Sequence, residues 1–97
     1  MPKYLMLWEL DAARVPVDRK ERGAAWTAML NIVKQDMKDG KISDWGSFAP
    51  DKGYAVSTTT ELDLAKSLQR SYPYVKYQIY QVMTVDQVAE VAKSMAQ

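Results

Sequence analysis

Two carboxylates sit beside tryptophans: Glu9 follows Trp8 in "LWEL", and Asp44 precedes Trp45 in "DWGS". A carboxyl desolvated against an indole holds its proton to higher pH, and a carboxyl tuned in this way can act as a general acid or base. Glu9 is the only charge inside an otherwise apolar run, so it and Asp44 are the candidate catalytic residues. A plainer reading stands beside this one. Glu9 falls near a strand end, where a carboxylate is ordinarily solvated, and Asp44 is similar.

Composition narrows the chemistry further. The 97 residues include no cysteine and no histidine. That removes disulfides, thiolate nucleophiles, Cys/His zinc sites, histidine-ligated haem and Ser-His-Asp triads. Acid–base work is left to Asp, Glu, Lys and Tyr. The six methionines fit an adaptable core better than a metal site. Gly23, Gly40, Gly46 and Gly53 are too scattered for a phosphate-binding loop. Neither a metal nor a cofactor is expected. Thirteen basic and 12 acidic residues give a net charge of +1, which makes no electrostatic case for nucleic acid. No apolar run approaches the roughly 18 residues of a membrane span. "MPKYLMLWELDAAR" reads as a strand and not a signal peptide, and the absence of cysteine agrees with a cytoplasmic location.

The elements that must position these residues follow from periodicity and caps. Residues 3–10, "KYLMLWEL", are a strand by length and composition. Asp18 with Glu21 is a capping-box pattern, and Arg19–Arg22 form a solvated first turn. Trp26, Met29, Leu30, Val33 and Met37 then make one apolar helical stripe, and Gly40 stands where a left-handed residue ends the helix, at about 19–39. Two short strands, about 42–49 and 53–58, flank Pro50-Asp51-Lys52-Gly53, a tight hairpin in which Gly53 is free to take positive φ. Gly46 inside the first of them marks a bulge or a close backbone approach. Thr60 with Asp63 starts a second helix with Leu64, Ala65, Leu68 and Tyr72 inward, ended by Pro73. A strand at 74–83 follows. Thr84 with Gln87 then caps a last helix, with Met83 and Val88 placed for a hydrophobic staple.

The order β-α-β-β-α-β-α describes one α+β domain over residues 1–97. Its first six elements are the ferredoxin-like succession, to which an extra C-terminal helix is added. Right-handed crossovers put the two long helices on one face of a four-stranded antiparallel sheet. The other face is bare, yet both parities of the outer strands carry apolar or aromatic side chains. Leu5 and Leu7 oppose Tyr4, Met6, Trp8 and Leu10, while Val75, Tyr77, Ile79 and Met83 oppose Tyr74, Lys76, Gln78, Tyr80 and Val82. Such a face covers about 400 Å², at the limit of what monomers expose. A second copy packed sheet to sheet by a two-fold contact would cover it, and so would the C-terminal helix folded back as a lid.

The chain resembles the dimeric α+β barrel superfamily over about residues 3–83. Within it the likeness is to the muconolactone-isomerase-like and antibiotic-biosynthesis-monooxygenase-like group. It rests on the "VPVD" helix start, Trp45-Gly46, the Gly-Tyr-x-Val third strand from Gly53 to Val56, and Pro73-Tyr74 after the second helix. The resemblance implies a homodimer and a pocket between helices and sheet near one end of the barrel, open to a small hydrophobic or aromatic molecule. Trp8, Trp45, Tyr54 and Tyr77 are the candidate ligand-binding residues. Against that, Trp26 lies on the helix stripe and reads as core, and Trp8 reads as interface by its parity. Trp45 adjoins the expected bulge. Lys76 reads as a rim residue or as an anchor for an anion. Histidine-dependent, haem-handling relatives are excluded by composition. Three kinds of function remain: cofactor-independent isomerisation or oxygenation, metabolite binding without turnover, and a structural or interaction role. An RNA-recognition domain shares the element order, and Tyr4, Trp8, Tyr74 and Tyr80 could imitate its stacking aromatics, but the charge balance speaks against it.

Overall fold

A computed structural model describes residues 2–97. The chain is α+β, with three helices and a four-stranded antiparallel sheet in the order β2-β3-β1-β4. Strand β1 spans Lys3–Leu10, β2 Asp44–Ala49, β3 Lys52–Ser57 and β4 Val75–Val82. Helix α1 spans Arg19–Lys38, α2 Glu61–Leu68 and α3 Val85–Met95, and a 3₁₀ turn covers Ala12–Arg14.

The helix ends form as the sequence dictates. Asp18, Thr60 and Thr84 each accept a hydrogen bond from the backbone N–H three residues on. At Thr84 the Gln87 side chain returns the bond to the cap backbone, which completes the box. Gly40 has φ +77°, and the N–H groups of Gly40 and Lys41 donate to the carbonyls of Met37 and Asp36. This is a Schellman closure, and it fixes the last turn of α1 around Asp36. Helix α2 stops at Leu68, earlier than Pro73 alone would demand. The N–H groups of Arg70, Ser71 and Tyr72 tighten onto the carbonyls of Ser67 and Leu68. Tyr72 is thereby turned outward and is 68% exposed, contrary to its expected inward position.

Register settles which side of the sheet meets the helices. Tyr4, Met6 and Trp8 of β1 and Val75 of β4 are buried. Met6 and Trp8 share a cavity wall with Met29 and Val33 of α1 and Leu64 and Leu68 of α2, so both helices lie on that side. Trp8 pairs across strands with Tyr77, and Met6 with Ile79. The expectation that Trp8 faces an interface is therefore corrected: its indole belongs to the core. Burying side chains of this size stabilises the fold by about 1.5–3 kcal/mol each.

Two glycines act by absence. A Cβ on Gly53 would overlap the Trp8 indole and the Gly46 carbonyl. A Cβ on Gly46 would strike the Tyr54 ring on the opposite side. Gly53 is an extended strand residue and not the positive-φ turn residue anticipated, since β2 and β3 are joined through Pro50-Asp51 with Ala49 opposite Lys52. The register shift between Ser47 and Ala49 is the expected irregularity, displaced just beyond Gly46.

The other side of the sheet carries Leu5, Leu7, Tyr54, Val56, Tyr80 and Val82, ringed by Lys3, Glu9, Asp44, Lys52 and Lys76. Helix α3 does not cover it, so the lid reading is set aside. Every residue of α3 is exposed, including Val85, Val88, Val91 and Met95 on its apolar side. Met83 and Val88 are 59% and 49% exposed, so the anticipated staple buries little. The radius of gyration is 16.3 Å, against about 12.5 Å for a compact chain of this length. No helix among the described residues is long and apolar enough to cross a membrane.

Candidate functional site

Three tryptophans from three elements meet under the helices. Trp8 stacks on Trp45, with ring centroids 5.2 Å apart and planes 11° from parallel. Trp26 of α1 meets Trp8 edge-on at 6.1 Å and 71°. The Trp8 Nε1–H donates to the Tyr54 carbonyl at 3.2 Å, so the indole is held at both its face and its edge.

Beside this stack lies an inner cavity of about 70 Å³, walled by Trp8, Trp45, Tyr77, Asp36, Arg70 and Ser71 among others. Asp36 is 5% exposed. One of its oxygens pairs with the Arg70 guanidinium, while Oδ1 has no partner within the protein. The Ser71 hydroxyl and the Tyr77 phenol lie 2.6 Å apart. Burial pushes the Tyr77 phenol above its ordinary pKa. The Ser71 hydrogen bond and the Arg70 charge pull it down, and Asp36 pushes it up. Arenes need a cavity of roughly 150 Å³, whereas a water takes about 30 Å³ of liquid volume. The inner cavity is thus too small for an arene and roomy enough for water, which suits an orphaned carboxylate oxygen.

A larger cleft opens on the far side of Arg70. It has room for about 340 Å³ and is formed by α1, the 11–16 segment and the chain leading into β4. Trp26, Met29 and Ile32 come from α1, Val15 and Pro16 from the segment, and Tyr74 and Val75 from the third side. The Asp11 N–H donates to the Tyr74 carbonyl at 2.8 Å and ties the 11–16 segment to the chain leading into β4. Asp11 also caps the 3₁₀ turn by accepting from the Ala13 N–H, which sets the direction of Arg14. The cleft falls in the size range of sites that bury small organic ligands. Arg70, Ser71, Met29, Ile32 and Val75 line both spaces and form the partition between them.

The anticipated site residues divide into two groups. Trp8, Trp45 and Tyr77 come together around the inner cavity. Glu9, Asp44 and Tyr54 lie on the open sheet face and line neither space. Glu9 is exposed, standing across the strands from Lys52 and Lys76. Asp44 is exposed too. It accepts from the Tyr54 hydroxyl at 2.9 Å, and that bond, with burial and the Asp44 charge adding to it, pushes the Tyr54 phenol up. Lys76 is exposed on the same face. Among the described residues no cluster of acids is arranged to hold a metal.

Trp26, which the sequence offers both as a pocket wall and as core, lines the cleft; Arg14, Arg22, Arg70 and Tyr74 line it with no such signal. Arg22 has a signal of another kind: 22, 26 and 29 are spaced by four and three, which extends the apolar stripe to its basic first turn. Asp36 likewise falls on the stripe after 29 and 33, and a carboxylate there calls for a partner. No family model, no curated protein and no solved structure matches this chain.

Proposed function

We propose that the protein is a homodimeric binding protein for a small hydrophobic or aromatic molecule, built as a ferredoxin-like dimeric α+β barrel in which two open sheet faces pack together. The observation that carries the binding reading is the cleft of about 340 Å³, walled mainly by apolar side chains and two aromatic rings. Binding without turnover is favoured over catalysis because Glu9 and Asp44 stand on the opposite face of the sheet from the cleft. The dimer reading is supported by the apolar centre and charged rim of the uncovered face, the distribution expected of a protein–protein patch. The self-pairing partner is a second copy, since one self-complementary patch serves both subunits.

Titration with naphthalene, followed by tryptophan emission and melting temperature, tests the binding reading. Trp26 lines the cleft, so quenching together with a raised melting point is the expected outcome. Unchanged emission and melting at saturating naphthalene would remove the cleft as a site. Sedimentation equilibrium tests the dimer, with twice the chain mass expected at micromolar concentration and the single-chain mass ruling it out.

A further inference from the structure

The charges around the cleft are one-sided. Arg14, Arg22 and Arg70 line it, and no Asp or Glu side chain does. Two of the three cations are already answered from outside the wall. The Arg14 Nε lies 3.5 Å from Asp11, and Arg70 is paired with the buried Asp36. Arg22 has no acidic partner among the described residues. Its Nη1 donates to the Val17 carbonyl at 2.9 Å, a neutral acceptor that orients the guanidinium and leaves its charge uncompensated. A mainly apolar cleft with one unanswered guanidinium is complementary to an apolar body bearing one negative charge.

On the reading of this cleft as a small-molecule site, we infer that its ligand is a flat, mainly apolar carboxylate whose acid group meets Arg22. The body lies against Trp26 and Tyr74, whose rings supply broad apolar contact. The acid fits the planar fork of a guanidinium, which takes a carboxylate through two parallel hydrogen bonds. A monoanion matches the count of free charge, because a dianionic phosphate would need a second cation and both others are occupied. Lys76, the cation that sequence reasoning offered for an anion, is on the other face of the sheet.

Three probes of one shape separate the possibilities: 1-naphthoate, the neutral 1-naphthamide and dianionic 1-naphthyl phosphate, each titrated against the full chain by tryptophan emission. Naphthoate should bind about five- to tenfold more tightly than the amide, the range set by a charge-assisted bond in a partly exposed setting. Arg22→Gln, on the exposed first turn of α1, should erase that preference, chiefly by weakening naphthoate. Raising salt from 0.05 to 0.5 M should weaken naphthoate and spare the amide. Equal affinities for naphthoate and amide, or a preference that survives Arg22→Gln, would overturn the anion assignment while the site itself stands. Phosphate binding above naphthoate would overturn the monoanion. Failure of all three probes to bind would remove the small-molecule reading of the cleft, and this inference with it.

Discussion

The Trp8 indole lies where a Cβ on Gly53 would have to be, one strand away in the sheet. The two residues form a directly opposed cross-strand pair, in which one contributes the largest side chain available and the other none. That absence lets the Trp8 ring settle onto the sheet and stack under Trp45.

Gly53→Ala should therefore cost about 2–3 kcal/mol, the upper part of the range for overpacking a filled core, because indole and backbone carbonyl are both in the way. Gly46→Ala should cost less, about 1 kcal/mol, since the Tyr54 ring it meets is on the open face and can swing aside. Urea unfolding measures both. A Gly46 variant as damaged as the Gly53 variant would refute the ordering.

Arg70→Met should destabilise the chain by about 2–3 kcal/mol. It leaves Asp36 buried with neither oxygen paired, and the value stays near the low end for such losses because the Arg70 side chain is 41% exposed. Adding Asp36→Asn to Arg70→Met should recover part of the loss, since the stranded charge is then gone. A double variant no more stable than Arg70→Met would show that the charge is not the source.

Tyr54 and Tyr77 should ionise above the ordinary tyrosine value in a spectrophotometric titration. Asp44→Asn should bring the Tyr54 transition down, and Tyr77→Phe should remove the Tyr77 transition. The sign for stability follows from Tyr77. The fold prefers the neutral phenol, so above the ordinary value of 10.0 the unfolded chain loses its proton first. Stability should fall as pH rises beyond about 10, and the fall should be shallower in Tyr77→Phe. An unchanged alkaline limb in that variant would contradict the assignment.

Leu7→Glu places a charge among Leu5, Tyr54, Val56 and Tyr80 at the middle of the open sheet face. If the proposed sheet-to-sheet dimer forms, the variant should keep the fold by circular dichroism and sediment as a single chain. A variant that still sediments as two copies would place the interface elsewhere on the surface.

Much of this architecture was legible in the sequence. Caps at Asp18, Thr60 and Thr84, the stripe from Trp26 to Val33 and the Pro50-Asp51 turn are local signals, and local signals survive into the fold. Parity along β1 was not legible. Both of its faces carry large apolar side chains, and the missing Cβ on Gly53 makes room for the indole on the face that meets the helices. The cleft was hidden for a different reason. Its walls come from positions 14, 22, 26, 70 and 74, and Arg22 looked like one more charge in a solvated "DRKER" run. What distinguishes it is that Arg14 and Arg70 have acids and it does not, a fact of pairing in space and not of spacing along the chain. Glu9 and Trp8 are neighbours in sequence but alternate sides of the strand, so Trp8 is buried while Glu9 points into water.

Helix α3 has a complete N-terminal box and no buried residue. Eleven residues held only by their own hydrogen bonds are at the margin of helicity in water. Any surface that takes up Val85, Val88, Val91 and Met95 would supply what the segment lacks. Without one, the ellipticity of the C-terminus should be lost on gentle heating well before the sheet melts, a separate and shallower transition of the same chain.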